Sequence, residues 1–303
     1  MTDTGDPAPG DGAGVPAGGA LVVVGTPIGN LGDLSPRAVA ALASADVLYC
    51  EDTRHSRKLL SHAGITGIPL RSLHEHNEGD RVDEVVAAVA AGRTVALVSD
   101  AGMPAVSDPG ARVIAAVAGA GLDIVVVPGP SAVLTALVAS GLPTDRFCFE
   151  GFLPRSGRDR TERLAVVADE VRTTVLFEAP GRVAATLTDL AAVCGADRRV
   201  VVARELTKLH EELWRGTLAD GAAWADGGVR GEVVLVLDGA PPVADPGVDD
   251  DQLARALTAH LDSGERTRGA VDEVAARLGV PRRRVYELAL RMKAGDGPGH
   301  EAE

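Results

Sequence analysis

Two short strings concentrate acid, base and cation closely enough to do chemistry. One is Glu51-Asp52-Thr53-Arg54-His55, the other Arg204-Glu205-Leu206-Thr207-Lys208-Leu209-His210-Glu211. Each directly follows an apolar run that reads as a strand, a usual place for a functional loop. Carboxylates beside cations can move protons and orient a substrate, or they can form structural ion pairs within Glu51–Arg54 and Glu205–Lys208. His55, His74, His76 and His210 show no metal-ligand spacing, so no metal is expected. Cys50, Cys148 and Cys194 are widely spaced and odd in number, which fits inert thiols in a reducing compartment rather than a disulfide framework.

Three Gly/Pro loops form the second constellation: Gly25-Thr-Pro-Ile-Gly-Asn-Leu-Gly32, Ser99-Asp-Ala-Gly-Met-Pro-Ala-Val-Ser-Asp-Pro-Gly110 and Pro128-Gly-Pro-Ser-Ala132. Each follows an apolar run, and open α/β sheets bind ligands at the carboxyl ends of their strands. The first loop lacks the Gly-x-Gly-x-x-Gly spacing of a dinucleotide fingerprint and carries Pro27 inside the turn; Gly-Lys-Ser/Thr is absent. The second and third loops contain no Lys or Arg before Arg112, which argues against a triphosphate. Backbone amides, small side chains and one acid suit a neutral or zwitterionic ligand such as a nucleoside or amino acid.

The elements that must hold these loops alternate along the chain. Strands are expected at Leu21–Gly25, Val47–Glu51, Thr94–Ser99, Asp123–Val127, Phe147–Phe152, Thr173–Glu178, Arg198–Glu205 and Glu232–Asp238, most of them continuous Val/Leu runs suited to burial on both faces. Helices are expected from Ser35-Pro36, which reads as a cap followed by Pro at the first helical position, and over Asp83–Ala91, Ala111–Ala118, Ala132–Ser140, Thr161–Glu170 and Val183–Val193. The alternation predicts an α/β fold of two domains, 20–142 and 143–239.

A Pro-rich linker at 240–250 leads to a different unit over 251–293. Leu253, Leu257 and Leu261, then Val271, Val274 and Leu278, then Val285, Leu288 and Met292 recur at helical spacing, with Gly279 and Pro281 between the last two helices. This predicts a helix-turn-helix-like appendage. It holds nine basic and six acidic residues, a net +3, so of the overall −13 the rest of the chain carries −16. The Arg282, Arg283, Arg284 cluster is either a solvated helix face or a phosphate-contacting surface. Residues 1–19 and 294–303 have the composition of disordered tails. No apolar run approaches the ~18 residues of a membrane span, and no signal peptide is apparent, so a cytoplasmic protein is expected.

The strings VGTPIGNLGDLSPRA (24–38), EDTRHSRKLL (51–60), SDAGMPAVSDPG (99–110), PGPSA (128–132), FEGFLPR (149–155), FEAPGRV (177–183), RELTKLHEE (204–212) and GE (231–232) occur in this order. Together they closely resemble the bacterial 16S ribosomal RNA 2′-O-ribose methyltransferase I family of the tetrapyrrole-methylase superfamily, over roughly residues 20–240. Thr-Pro-Ile-Gly-Asn and Glu-Asp-Thr-Arg separate that family from its porphyrin-modifying cousins. Met103 stands where many members carry Thr, and only a local packing difference is expected from it.

The resemblance implies two α/β domains with an S-adenosylmethionine (SAM) cleft between them, a homodimer, and methylation of a cytidine ribose in the decoding region of 16S ribosomal RNA, free or in the small subunit. It assigns Pro27, Asp100, Ala101, Gly102, Pro104, Ser131, Ala132, Glu178, Ala179, Thr207 and Glu232 to the cofactor. It favours Glu51, Asp52, Arg54, Glu205 and Lys208 as functional, with Arg54 and Lys208 placing RNA phosphate rather than moving protons. An acidic body is an unusual RNA binder, so local cations must suffice: Arg54, Arg57, Lys58, Arg155, Arg158, Arg160, Arg163 and Arg282–Arg284. The competing readings are a porphyrinoid methyltransferase, which would want an apolar cleft and no basic tail, and a non-enzymatic nucleic-acid-binding sensor, which would not need two dense polar strings.

Overall fold

The computed structural model describes residues 19–241, 248–262 and 267–294. The expected tails before Gly19 and after Ala294, and residues 242–247 of the expected linker, lie outside these. Ten strands and eleven helices follow in order among the described residues. The first ten elements are β1 (Ala20–Val24), α1 (Pro36–Ala43), β2 (Val47–Cys50), α2 (Thr53–His62), β3 (Leu70–Ser72), α3 (Glu78–Ala90), β4 (Thr94–Leu97), α4 (Ala111–Gly119), β5 (Ile124–Val127) and α5 (Ala132–Ser140). Then come β6 (Phe147–Phe152), α6 (Gly157–Asp169), β7 (Thr173–Glu178), α7 (Val183–Cys194), β8 (Arg199–Arg204), β9 (Glu212–Thr217), α8 (Leu218–Ala225) and β10 (Val233–Leu237). The last three are α9 (Asp250–Asp262), α10 (Thr267–Leu278) and α11 (Arg282–Ala294).

The first sheet is wholly parallel, in the order β3-β2-β4-β1-β5. Strand β1, paired between β4 and β5, is buried on both faces, because side chains alternate across a strand. Val22 and Val24 enter one core with α1, while Leu21 and Val23 enter another with α3 and α4. The second sheet, β6-β7-β10-β8-β9, is mixed. β6 and β7 are parallel, but β10 runs antiparallel to β7 and β8, and β9 antiparallel to β8. Leu235 and Leu237 of β10 face the core of α6–α8, and Val234 and Val236 face the other side.

That other side is covered by α5. Val133, Ala136 and Leu137 pack on Val201, Ala203, Val234 and Val236. The last helix of the first α/β layer thus lies under the second sheet, and both sheets belong to one compact unit that ends at Ala240. The three C-terminal helices form a second unit with its own core of Leu253, Leu257, Val271, Val274, Val285 and Leu288.

Helices α3 and α6 begin five and four residues earlier than expected, at Glu78 and Gly157, and four elements have no counterpart in the sequence reading. The three-residue β3, Leu-Arg-Ser, carries too little pattern to read. Edge strand β9 begins just past the second polar string, where no strand is expected. α8 is short and Ala-rich. The most consequential is α2: the Glu-Asp-Thr-Arg-His string is not a loop, because Asp52 caps a ten-residue helix by accepting from the Arg54 amide at 2.7 Å. Only Leu59 and Leu60 mark its apolar face.

Candidate functional site

The first loop is stitched to the second by main chain. Thr26 N donates to Gly102 O at 2.9 Å, Gly102 N donates to Thr26 O at 3.1 Å, and Gly102 takes φ +83° to do so. The third loop crosses the first in backbone contact. A Cβ on Gly25 would lie 2.6 Å from the Gly129 amide nitrogen. Gly29 meets the far string in the same way: a Cβ there would lie 2.5 Å from Lys208 Cγ, and Asn30 N donates to Thr207 Oγ1 at 3.1 Å. The glycines of these strings are close-approach sites.

These contacts frame a cleft of about 480 Å³, within the usual range for a small-molecule site. One wall is Asp100–Met103 and Val106–Asp108; another is the start of α5 at Ser131–Val133. The second sheet supplies Phe152, Phe177–Pro180 and Gly231–Val234. The last four reach the cleft because β10 is reversed, so the residues before this strand sit beside those after β7 and β8. Ser131 caps α5, accepting from Leu134 N at 3.4 Å, so the positive end of that helix faces the cleft. No Lys or Arg lines it.

Carboxylates gather at the Ser99–Gly110 loop. Asp100 Oδ1 accepts from the Asp52 amide at 3.1 Å, linking the cleft to the start of α2. Burial pushes the Asp108 carboxyl up, with the Asp100 charge adding to it and a Ser99 hydrogen bond opposing it. Burial likewise pushes Glu51 up, reinforced by the charges of Asp100, Asp108 and Asp52. A like-charge cluster of this kind favours a cationic ligand.

Four non-glycine residues among those described adopt left-handed backbone: Ala105, Ser107, Glu205 and Thr207. They fall in the Ser99–Gly110 loop and in the second polar string, and strain of this kind gathers at functional sites. In the latter, Glu205 Oε1 accepts from Lys208 Nζ at 2.9 Å and from Glu232 N at 3.0 Å. Lys208 Nζ also pairs with Glu232 Oε2 at 3.1 Å. The Lys208 hydrogen bond, then that from the Glu232 amide, holds Glu205 below the usual carboxylate range. Burial acts to lower the Lys208 ammonium, but its two carboxylate partners outweigh this and raise it. Glu205 and Lys208 therefore brace the loop, and neither is suited to accept a proton.

The structure brings together Asp100, Ala101, Gly102, Ser131, Ala132, Glu178, Ala179 and Glu232 around this cleft. It does not bring Pro27 or Pro104 to it, and Thr207 lines a neighbouring cavity instead. Glu178 needs a correction in role. Its side chain is fully buried and turned inward, accepting from Ala179 N at 2.9 Å and Thr186 Oγ1 at 2.6 Å, with Arg182 Nε 3.5 Å away. Only its neighbouring surface serves the cleft. Met103 also exceeds the expected packing difference, since it forms part of the wall. Sequence reasoning missed Asp108, Phe152 and Phe177, although all lie within the strings quoted above.

The expected cations divide sharply. Arg57 and Lys58 are exposed on α2, and Arg155 is exposed after β6. Arg54 is 85% exposed but paired with Asp52 at 3.3 Å, not with Glu51. Arg160 is buried, bonded to Asp189 Oδ2 at 2.7 Å, Thr186 Oγ1 at 3.0 Å and Pro154 O at 2.9 Å; it cannot meet RNA. Arg158 pairs with Glu162, and Arg163 with Glu150 at 3.2 Å. In the C-terminal unit Arg282 pairs with Asp272. Arg284 bonds Asp250 at 2.9 Å and Val248 O at 2.8 Å, anchoring the start of α9. The Arg283 side chain lies outside the description. Among the described residues, no three His, Cys, Asp or Glu side chains converge on a metal position.

Two layered sheets with a cleft of this construction define a tetrapyrrole methylase, and the tetrapyrrole (corrin/porphyrin) methylase family model matches residues 20–222. The methyltransferase CobJ shares the fold at TM-score 0.57 and 23% identity, over 73% of this chain and 95% of that one. Uroporphyrin-III C-methyltransferase from Thermus thermophilus, solved with S-adenyl homocysteine, does so at 0.52 and 21%, over 73% and 97%. Sequence relatives are nearer. The ribosomal RNA small subunit methyltransferase I of Synechocystis sp. is 45% identical, covering 91% of this chain and 99% of its own. That of Mycobacterium tuberculosis is 45% identical, covering 92% and 97%. The chain belongs to the ribosomal RNA small subunit methyltransferase I family.

Proposed function

We propose that the cleft holds S-adenosylmethionine and that the protein methylates the 2′-hydroxyl of a cytidine ribose in the decoding region of small-subunit ribosomal RNA. The observation that carries this reading is the polarity of the cleft: the Asp100 and Asp108 carboxylates in one wall, a helix amino end at Ser131, and no Lys or Arg. A ligand with a sulfonium, an ammonium and a carboxylate matches both features, whereas a nucleoside triphosphate would meet the carboxylates with no Lys or Arg to offset its charge. Asp100 and Asp108 would face the cationic groups, and the start of α5 the carboxylate. Phe152, Phe177 and Val234 would cover the apolar faces. When bound, the cofactor supplies an electrophilic methyl group; the protein supplies alignment and exclusion of water.

Burial and neighbouring charge raise the basicity of Glu51, as they do that of Asp108 in the cleft wall, so Glu51 is better suited to accept a proton than Glu205 or Lys208. Arg57, Lys58 and Arg155 supply exposed cations for RNA phosphate. The exposed apolar residues Leu134 and Val138, one turn apart on α5, and Val126 on edge strand β5 support the homodimer reading. Among the described residues no helix is long and apolar enough to cross a membrane, and a ribosomal substrate would place the protein in the cytoplasm.

The test is transfer of labelled methyl from SAM to purified small subunits lacking the modification, followed by nuclease digestion and mass spectrometry. A single 2′-O-methylcytidine is the expected product. Transfer to a base, or none despite SAM binding, would overturn the substrate assignment. Light scattering of the purified protein tests the dimer.

A further inference from the structure

Beside the cofactor cleft lies a second, more open cavity of about 540 Å³. Ile28 lines both cavities, so they meet across one side chain. Its walls are Ile28 and the Pro128-Gly129-Pro130 turn, and its polar groups are Asp33, Thr135 and Thr207. The turn is fixed in place, because Gly129 touches the Gly25 backbone and the first loop is in turn bonded to Gly102. The cavity is therefore a formed feature of the loops already described.

Its hydrogen-bonding inventory is specific. Thr207 Oγ1 already accepts from Asn30 N at 3.1 Å, which leaves its proton to be donated outward. The Thr135 hydroxyl and the Asp33 carboxylate have no hydrogen-bond or ion-pair partner among the described residues; Asp33 is exposed at the end of the turn that begins at Leu31. The cavity thus presents one acceptor-only group and two hydroxyl donors between Ile28 and a stiff Pro-Gly-Pro turn. That set complements a planar ring bearing an amine beside a ring nitrogen and a carbonyl, which describes cytosine. Uracil would turn a carbonyl toward the carboxylate and set two acceptors against each other.

Resting on the proposed ribose methylation, we propose that this cavity receives the base of the acceptor nucleotide and that Asp33 selects cytosine through its exocyclic amine. The base sits on the far side of Ile28 from the cofactor, and its ribose reaches past Ile28 into the cleft. Asp33 is a specificity determinant and takes no part in the methyl transfer.

The experiment measures kcat/KM for methyl transfer with small subunits carrying either the native cytidine or a uridine at the target position, for the wild-type protein and for Asp33→Asn. Calorimetry gives SAM affinity for both proteins. The wild type is expected to favour cytidine by about tenfold or more, the range of one good base-reading contact. Asp33→Asn is expected to reduce that preference to about twofold with unchanged SAM affinity, because a side-chain amide can face either a donor or an acceptor. Thr135→Val, which keeps the shape and removes a hydroxyl, is expected to lower kcat/KM on the cytidine substrate several-fold, again without loss of SAM binding. A cytidine preference that survives in Asp33→Asn overturns the assignment while leaving the methyltransferase reading intact. Weakened SAM binding in Asp33→Asn also overturns it, because Asp33 would then be supporting the loops. A wild-type protein that methylates neither subunit removes the functional reading and this one with it.

Discussion

A Cβ added to Gly129 would lie 2.7 Å from the Gly25 carbonyl carbon, and one added to Gly25 would lie 2.6 Å from the Gly129 nitrogen. Two of the three cleft loops therefore cross with no room for a methyl group. Gly129→Ala must push main chain against main chain, which relaxes poorly. It is expected to destabilise the protein by about 1–3 kcal/mol and to weaken SAM binding as the loops part. Denaturant melts and calorimetry check both effects; a stable variant with normal affinity would show that the crossing is slack.

Asp100 has two separable roles. Its charge faces the cleft, and its Oδ1 accepts from the amide that begins α2. Asp100→Asn keeps an acceptor for Asp52 and loses the charge, so SAM affinity is expected to fall about tenfold with little change in stability. Asp100→Ala is expected to weaken affinity at least as far and to lower the melting temperature as well. Equal SAM affinity in wild type and both variants would remove Asp100 from the binding site.

Glu51 gives a pH signature. Its carboxyl is raised by burial and by neighbouring carboxylates, so its ionised form costs stability in the folded state. That cost applies above the raised value and fades as pH falls through it toward the ordinary one. Glu51→Gln is expected to melt above the wild type at neutral pH, with the gap closing by about pH 4. Methyl transfer is expected to fall in the same variant. A thermal gap that does not depend on pH would point to packing instead of charge.

Arg155 and Arg160 lie five residues apart and should behave oppositely. Arg160 is buried with its bonds to Asp189, Thr186 and Pro154 satisfied, so Arg160→Ala is expected to cost about 2–3 kcal/mol, the range of lost charged hydrogen bonds. Arg155 is exposed, and Arg155→Ala is expected to leave the melting temperature unchanged while weakening RNA binding with a shallower salt dependence. Equal destabilisation of both would refute this division.

Removing the chain beyond Ala240 separates two units with separate cores. The truncated protein is expected to keep its SAM affinity and to lose affinity for the small subunit. Unchanged methylation kinetics would reduce the C-terminal cations to a solvated face.

The strands that position the site were legible because burial on both faces writes itself as Val and Leu runs: Leu21, Val22, Val23 and Val24 need no other explanation. The polar face of α2 was not, since Thr53–Lys58 offers one buried side chain, Ser56, and its helical character shows only in the Asp52 cap. Loop residues flanking glycines were identified from their strings, whereas Phe152 and Phe177 were passed over because an aromatic at a strand end reads as core. Phe152 is 54% exposed at the cleft. Arg155 and Arg160 could not be told apart because the start of α6 decides which arginine turns inward, and that helix begins four residues earlier than the pattern suggested, at Gly157. The parallel-strand rule also hid Gly231, since only a reversed β10 brings the residue before a strand into the cleft.

Asp100 adds to the unfavourable charge on Glu51 and Asp108, and a cationic ligand in the cleft is expected to offset it. Ligand binding then acts as a folding partner, adding stability in proportion to how far its concentration exceeds its dissociation constant. An empty molecule opens more often, and opened molecules are the ones that proteases remove. The abundance of this protein in a cell is thus expected to follow the supply of its methyl donor, so that depletion of the donor shortens its half-life in a pulse-chase experiment. Asp100→Asn, with one charge fewer and a weaker ligand, is expected to have a half-life that responds less to the same depletion; an unchanged response would show that the repulsion has no bearing on turnover.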